Sequence, residues 1–350
     1  MREYHNILVY AMVNLGDVIL LTSAIALLKK IYPNARITML SRPIVREVIE
    51  HNPVIDDVIL FDYKAKQNAV GRMWAMVQEL RARKFDLAIS FDRKLRTALL
   101  CWLAGIPVRV GPSRVLDARP SRVTWLYTNT VPITYNLDET LQAETYQEII
   151  RSFTGREGHE RPILPSPTEQ QREKAAELLS SAAGKRRIGL CVKGTFGLKT
   201  WPKEYFVEVV RALHARYDAA FYVTGAPGDH AYAEEVIQAI GLPVENLCGK
   251  TNLMELTALY AQLDLLVSVD TGGAHIAAVT GVPLVVMFGC TSPRRWHPIS
   301  ERAAVFSSHE PCCPCSYGET DCPSYPQPHC LYHVRPEEII AACVRHLDGK

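Results

Sequence analysis

The sequence lacks several features that would assign it to common classes of protein. No apolar run reaches the roughly 18 residues that a membrane-spanning helix needs. The first residues, MREYHNILVYAMVNLGD, do not combine a basic start, an apolar core and a small-residue cleavage site, so no secretory signal peptide is predicted. The formal net charge is only +2 at pH 7, which gives no global attraction to nucleic acid. We therefore expect a cytoplasmic globular protein that does not bind nucleic acid.

Three motifs that hold phosphates or cofactors are also missing. The G-x-G-x-x-G motif typical of nicotinamide dehydrogenases does not occur, and neither does the G-x-x-x-x-G-K-[ST] loop of P-loop proteins. No Asp-x-Asp pair is present, so nothing in the sequence requires a metal to hold a diphosphate. These absences disfavour a dehydrogenase, and they leave backbone amides and basic side chains as the means of binding phosphate.

What the sequence does contain is a repeated alternation of short apolar strands and segments with helical spacing. With 350 residues, the chain is too long for one ordinary core, so two domains are expected. Strands separated by helices predict parallel sheets covered on both faces. The stretch Thr154–Thr168, rich in Gly, Pro and charged residues, interrupts the pattern and predicts a linker. We predict an α/β protein with two doubly wound, Rossmann-like domains, residues 1–160 and 161–350, facing each other across a cleft.

Ligands of doubly wound sheets bind beyond the carboxyl ends of the strands, so the loops after strands are the informative ones. The stretch VSVDTGGAHIAAVTGVPLVVMFG, residues 267–289, contains a strand end, a helix and a second strand. Two glycines at the helix start would leave N–H groups open to a diphosphate, and the preceding acid would suit sugar or ribose hydroxyls. The histidine could donate to a phosphate or a leaving oxygen. The candidate residues are Asp270, Thr271, Gly272, Gly273 and His275. A tight turn with a threonine cap and a hydrogen-bonded histidine is the alternative.

A second loop, KGTFGLKTWPKEYF at residues 193–206, follows another predicted strand. Thr195 and Lys199 offer a hydroxyl and an ammonium among glycine amides, which is what a phosphate requires. The alternative is a solvated loop in which Trp201 docks the following helix.

A third loop, VNLGDVILLTSA at residues 13–24, follows the first strand. Gly16 permits a close turn, and Asp17 lies where a helix begins. Asp17 is either a helix-capping residue or a carboxylate available as a general base. Asp92, at the end of another strand of the same half, is the reserve candidate for that base.

Half of the ten cysteines crowd one proline-rich stretch, Pro311–Cys330, which we call the Cys-rich loop, residues 311–330. Four thiolates at such spacing can hold a structural zinc or iron ion. The four candidate ligands are Cys312, Cys315, Cys322 and Cys330. Reduced structural thiols and disulfides are the alternatives, and the cytoplasmic compartment disfavours disulfides.

Basic residues concentrate in the N-terminal half. They are Arg93, Lys94, Arg96, Arg109, Arg114, Arg119 and Arg122. Phosphorylated sugars on an anionic membrane surface would suit this charge, and a solvated surface is the alternative. No clear amphipathic anchor is present, so any membrane contact would be peripheral.

Taken together, three segments resemble the ADP-heptose:lipopolysaccharide heptosyltransferase family, a group of GT-B glycosyltransferases. The segments are LGDVILLTSAIALLKKIYPNARITML, KGTFGLKTWPKEYF and SVDTGGAHIAAVTGVPLVVMFGCTSPRRWHPIS. The TSP…HPIS ending and the LAGIPVRVG stretch are most similar to the second heptosyltransferase of inner-core synthesis. The sequence departs from the family at Gly273, where the family often has Leu, and at Cys290, where it often has Pro.

The resemblance implies an inverting transfer of heptose from ADP-L-glycero-D-manno-heptose to the lipid A–Kdo–heptose acceptor of the lipopolysaccharide inner core. It implies that residues 1–160 bind the acceptor and residues 161–350 the nucleotide sugar. Catalysis would need no cofactor and would take place in the cytoplasm, with peripheral contact at the inner face of the inner membrane. The residues that the resemblance assigns are Asp17 as catalytic base, Thr195 and Lys199 at the donor phosphates, Asp270, Thr271, Gly272 and His275 at the diphosphate and heptose, and Asp229 near the nucleoside.

Two further classes of function remain compatible with the residues. One is a GT-B transferase that uses another nucleotide sugar or modifies a protein. The other is a nucleotide-sugar isomerase or binding protein of the same fold, without an acceptor.

Overall fold

In a computed structural model, the chain divides into two compact units, Met1–Pro165 and Ser166–Lys350. The structure describes residues 3–62, 68–92, 94–114, 120–132, 139–315, 322–324 and 326–349. The division lies five residues beyond the predicted boundary and inside the predicted linker, and residues 155–168 contain no helix or strand. The assignment of acceptor and donor to the two units stays a prediction.

The described part of the first unit contains one six-stranded parallel sheet in the order β3-β2-β1-β4-β5-β6. Its strands are β1 (Asn6–Tyr10), β2 (Arg36–Ser41), β3 (Asp57–Leu60), β4 (Leu87–Ser90), β5 (Val108–Pro112) and β6 (Asn129–Val131). Its helices are α1 (Leu15–Ile31), α2 (Arg46–Ile49), α3 (Ala69–Ala82), α4 (Leu95–Leu103) and α5 (Gln142–Thr154). The strand order reverses between β1 and β4, so a ligand is expected beside the loops that follow these two strands.

The second unit repeats this plan, with the sheet order β12-β11-β10-β7-β8-β9 and every described pair parallel. Its strands are β7 (Arg186–Cys191), β8 (Ala219–Val223), β9 (Val244–Asn246), β10 (Leu265–Val269), β11 (Leu284–Phe288) and β12 (Ala303–Ser307). Its helices are α6 (Glu169–Leu178), α7 (Lys203–Arg216), α8 (His230–Ile240), α9 (Leu253–Tyr260), α10 (Gly272–Thr280), α11 (Pro293–Trp296), α12 (His329–Tyr332) and α13 (Pro336–Leu347). Here the order reverses between β7 and β10.

The central strands are mostly apolar and buried because helices cover both faces of each sheet. All five residues of β10 (LLVSV) and of β11 (LVVMF) are buried, as expected for interior parallel strands. The core of the second unit also includes Trp201, whose indole N–H donates to the Val334 carbonyl at 3.0 Å. Trp201 thus ties the loop after β7 to the segment before α13, which holds that loop close to the sheet.

Within the ranges that the structure describes, no helix combines the length and the apolar character that crossing a membrane requires.

Candidate active site

The loop after β1 places Asp17 in the first turn of α1, where its carboxylate is half-buried. Asn14, not Asp17, occupies the N-cap position, so the interpretation of Asp17 as the helix cap is wrong. The Tyr146 hydroxyl, on α5, donates to Asp17 Oδ1 at 3.0 Å, and Tyr146 is itself buried. This hydrogen bond fixes the direction of the carboxylate. Asp17 is therefore an ordered, partly accessible carboxylate at the point where the strand order reverses.

Asp92, the reserve candidate, has a different environment at the end of β4. It is only 8% exposed, and its oxygens accept hydrogen bonds from the Met12 N–H at 3.0 Å, the Lys94 N–H at 3.1 Å and the Thr97 hydroxyl at 2.7 Å. Burial raises the pKa of Asp92, although these hydrogen bonds oppose the shift. The Lys94 ammonium also reaches the Met12 carbonyl at 2.8 Å. Asp92 thus joins the loops after β1 and β4, and its role as the reserve base stays a prediction.

In the second unit, the structure brings together residues from the loops after β7, β10 and β11. The Lys199 ammonium lies 2.6 Å from Asp270 Oδ2, and the Thr291 hydroxyl donates to the same oxygen at 2.6 Å. The side chains of Lys199 and Asp270 are 18% and 7% exposed. Sequence reasoning predicted Lys199 and Asp270 separately but missed both their pairing and Thr291. Thr291 could have been found, because it belongs to the CTSP segment directly after a strand.

Two glycines allow the loop after β7 to lie this close. A Cβ atom at Gly194 would stand 2.5 Å from both Cβ and the carbonyl oxygen of Lys199. A Cβ atom at Gly289 would collide with the Leu198 carbonyl, which instead accepts a hydrogen bond from the Cys290 N–H at 3.4 Å. Larger residues at either glycine would push the loop outward and separate Lys199 from Asp270.

Helix α10 begins with the two predicted glycines, directly after Asp270. Thr271 occupies the N-cap position with an extended backbone, but its side chain makes no capping hydrogen bond, so the predicted threonine cap is wrong. Gly272 and Gly273 form the first two positions of a nine-residue helix. Without a side-chain cap, the helix-start amides are open to an anion, as the diphosphate hypothesis requires.

His275, in the same first turn, is buried at 5% exposure. Its Nδ1 has no hydrogen-bond partner among the described residues. Burial lowers the pKa of His275 to about 4; the neighbouring Asp270 carboxylate opposes this, and Lys199 adds to it. His275 is therefore neutral near pH 7, where it can still donate one N–H. The alternative of a histidine with both ring nitrogens hydrogen-bonded is therefore wrong, because Nδ1 has no partner among the described residues.

The low pKa of His275 predicts a specific dependence of stability on pH. Above pH 6.5 the imidazole is neutral in both states, so it contributes no difference. As the pH falls from about 6.5 to about 4, the unfolded chain binds a proton that the folded chain excludes, and the free energy of unfolding decreases by up to about 1.4 kcal/mol per pH unit. Urea unfolding at several pH values should show this loss in the wild type, measured relative to His275→Gln. Parallel pH curves for the two proteins would contradict the buried neutral histidine.

Asp229 and Thr195 lie on two loops of the second unit, after β8 and β7. Among the described residues, no hydrogen bond joins their side chains. Asp229 Oδ1 lies 3.2 Å from the Lys193 ammonium, and Oδ2 accepts from the Ala226 N–H at 2.9 Å. Sequence reasoning missed Lys193, although it opens the quoted KGTFGLK loop. Thr195 is exposed. Asp229 therefore orders the loop after β8, and Thr195 has a hydroxyl open to a ligand.

The Cys-rich loop does not show the predicted four-cysteine arrangement in its described part. There, no group of three or more His, Cys, Asp or Glu side chains could hold a metal ion. The Cys330 thiol and burial raise the pKa of Cys313, a residue outside the predicted quartet, and the Cys315 N–H donates to the Cys290 carbonyl at 2.9 Å. The four predicted ligands, Cys312, Cys315, Cys322 and Cys330, are all described, and the structure does not bring them together as a metal site. A metal bound by this loop stays a prediction.

The chain is similar in sequence to known heptosyltransferases. Lipopolysaccharide heptosyltransferase 3 of Escherichia coli is 28% identical over 302 residues, which cover 83% of this chain and 85% of that protein. Lipooligosaccharide heptosyltransferase 2 of Haemophilus influenzae is 28% identical over 319 residues, covering 86% and 88%. The chain is thus as similar to a heptosyltransferase 3 as it is to a heptosyltransferase 2, the type that the sequence motifs led us to expect.

A solved structure shares the architecture. The structure of E. coli ADP-heptose LPS heptosyltransferase II is similar with a TM-score of 0.77 and 22% identity, covering 98% of this chain and 99% of that one. This similarity confirms the α/β, GT-B class of fold. The family model of glycosyltransferase family 9 (heptosyltransferase) matches residues 73–325. The chain therefore belongs to glycosyltransferase family 9, and it is an enzyme of the glycosyltransferase class.

Proposed function

We propose that the protein moves heptose from ADP-L-glycero-D-manno-heptose to the lipid-linked inner core of lipopolysaccharide, with inversion at the anomeric carbon. The observation that carries the proposal is the Lys199–Asp270 pair beside the uncapped glycine start of α10. Membership of the family and the names of the relatives support heptose as the sugar. The donor ADP-heptose, the lipid A–Kdo–heptose acceptor and work at the inner membrane face are part of this proposal.

In the proposed donor site, Lys199 and Asp270 bind different parts of the nucleotide sugar. The helix start and the Lys199 ammonium attract the diphosphate, because both carry positive charge. Asp270 accepts hydrogen bonds from sugar hydroxyls, and the Thr195 hydroxyl and His275 N–H add donors. Asp229 lies on the loop proposed to receive the nucleoside. Donors fixed in advance where charge develops usually contribute the largest part of catalysis.

The proposed reaction is a single displacement. The acceptor hydroxyl transfers its proton to the Asp17 carboxylate while its oxygen bonds to the anomeric carbon. The bond from that carbon to the β-phosphate oxygen breaks, and ADP leaves with the electron pair. Charge on the leaving diphosphate is met by Lys199, His275 and the α10 amides. No metal takes part in this step; the zinc or iron proposed for the Cys-rich loop would be structural, and elemental analysis of untagged protein tests it.

Thermal unfolding with a ligand panel tests the proposed donor. The panel consists of ADP, UDP, GDP, NAD and ADP-heptose, each added to the wild type and to Lys199→Ala. A ligand at about 100 times its Kd adds roughly 2.7 kcal/mol to the free energy of unfolding, which produces a clear shift. We expect stabilisation by ADP and ADP-heptose alone, weakened in the variant. Stabilisation by UDP or GDP instead would retain a glycosyltransferase but exclude ADP-heptose, and a response to NAD alone would overturn the proposal.

A further inference from the structure

Helix α4 of the first unit has an outward face that is apolar. Its sequence, LRTALLCWL, has one charged residue, Arg96. Its buried residues are Thr97, Ala98, Leu100 and Cys101. Leu95 and Trp102, on the opposite side with Leu99 between them, follow the i, i+4, i+7 spacing of one helix face. Leu95 is 54% exposed and Trp102 45% exposed, so this helix has apolar surface on both sides.

A second exposed tryptophan extends this face. Trp125 is 65% exposed and belongs to the single turn Thr124–Leu126. Leu126 in this turn and Val123 before it are buried. The rings of Trp102 and Trp125 lie 6.3 Å apart between centroids, at 66° to each other. We call Leu95, Trp102 and Trp125 the α4 patch. Adjacent exposed tryptophans are unusual on a protein surface, since such contiguous apolar area generally marks a contact with another molecule.

The sequence segment that carries the α4 patch has charge almost entirely of one sign. Between residues 93 and 132 the sequence contains one acidic residue, Asp117, and seven basic ones. Since the whole chain carries a net charge of only +2, the remaining sequence is net negative. The exposed basic residues of the described ranges in this segment are Lys94, Arg96, Arg114 and Arg122. Arg93 and Arg119, which belong to the same predicted group, lie outside the described residues.

We infer that the α4 patch docks on the surface of an anionic phospholipid bilayer. Tryptophan rings concentrate at the interface between headgroups and acyl chains, and lysine and arginine beside them are attracted by anionic headgroups. A second copy of this chain would bring like charges together at the same face, which disfavours it as the occupant. A bilayer satisfies both the apolar rings and the surrounding positive charge.

The position of the patch connects it to the proposed acceptor. Leu95 lies three residues after Asp92, at the sheet edge where the loops after β1 and β4 meet through the Asp92–Met12 hydrogen bond. Asp17 lies in the first turn after one of these loops. Leu95 is the residue of the patch at this edge, and Trp102 lies seven residues further along α4. The inference rests on the proposed function for its purpose but not for its test.

Vesicle co-sedimentation tests the inference. Full-length protein is mixed with vesicles of phosphatidylglycerol and phosphatidylethanolamine, and separately with phosphatidylcholine vesicles, without any sugar acceptor. We expect binding to the anionic vesicles and at least tenfold weaker binding to the zwitterionic ones. The double variant Trp102→Gln, Trp125→Gln should reduce the bound fraction at least fivefold, because it removes the interfacial rings. The double variant Arg96→Gln, Arg122→Gln should bind more weakly and with a smaller dependence on salt, because it removes charges that salt screens.

Controls in the second unit match each change. Val305→Gln removes an exposed apolar side chain, and Lys174→Gln with Lys185→Gln removes two exposed positive charges. Both controls should bind vesicles as the wild type does, and circular dichroism must show that every variant is folded. Wild-type protein that stays in the supernatant, or a tryptophan variant that binds fully, would overturn the inference. So would a dimer that these tryptophans maintain in the absence of lipid.

Transfer of heptose to a water-soluble, delipidated core oligosaccharide separates this inference from the proposed function. If transfer fails while vesicle binding is retained, the proposed function is wrong and the docking surface stands. If transfer succeeds and vesicle binding is absent, the docking surface is wrong and the function stands.

Discussion

Asp17→Asn should lower turnover about 10²–10⁴-fold, the range typical for loss of a general base. Asparagine keeps the size of the side chain, and its amide oxygen can still accept the Tyr146 hydroxyl hydrogen bond seen at 3.0 Å. What it cannot do is take the proton of the acceptor hydroxyl. Donor affinity should be unchanged, because Asp17 belongs to the first unit and the proposed donor residues to the second. Turnover and ADP binding measured on the same preparation check both parts.

Asp92→Asn is the matched control for this experiment. The same change at Asp92 removes acceptor capacity from a buried side chain with three donors, so it should cost about 1–3 kcal/mol of stability. Its turnover, measured well below its unfolding temperature, should fall far less than that of Asp17→Asn. A full loss of turnover in Asp92→Asn with normal stability, together with an active Asp17→Asn, would transfer the role of base to Asp92.

The loops that bear the candidate site could be predicted because the ends of interior parallel strands can be recognised in the sequence. Interior strands are short apolar runs, and the end of β10 is marked by the polar residues that follow it. The start of helix α7 is marked by Trp201-Pro202, which precede it. Once strands alternate with helices, the rule that ligands bind beyond carboxyl strand ends selects the loops containing Asp17, Lys199 and Asp270.

Other parts of the fold were not predicted, for physical reasons. Edge strand β6 is three residues long and mostly exposed, so it lacks a hydrophobic signal. Helix α6 buries only Ala175, so its charged sequence has no apolar periodicity, although Thr168 and Gln171 form a capping box at its start. Strand β12 is partly exposed at the other sheet edge. Such elements are stabilised by neighbours that are distant in sequence.

The hydrogen-bond and ion-pair partners of the candidate site residues could not be predicted from the sequence either. Tyr146 is 129 residues from Asp17, and Lys199 is 71 residues from Asp270. Residue types at strand ends indicate which groups could meet, but which atoms pair depends on how closely the backbones approach. At Lys199 that approach depends on the glycines at 194 and 289. Residue types at strand ends therefore indicated which charged groups lie on the second unit's loops, and the structure shows that a cation and a carboxylate there neutralise each other.

That neutralisation makes Lys199→Ala the second large effect. Removing one member of a buried ion pair costs about 3–5 kcal/mol, and the cost should be lower here because Lys199 is 18% exposed. The variant should therefore unfold at lower urea concentration and bind ADP more weakly. Lys193→Ala is the control, since its pair with Asp229 is more exposed and worth about 1 kcal/mol or less.

A double variant separates the two consequences of losing Lys199. In Lys199→Met with Asp270→Asn, neither side chain is charged, so most of the lost stability should return. ADP binding, however, should stay weak, because a methionine offers the diphosphate no positive charge. Urea unfolding and ADP titration of the wild type, each single variant and the double variant complete the cycle. If the double variant binds ADP like the wild type, Lys199 stabilises the loop through Asp270 and does not hold the donor phosphates.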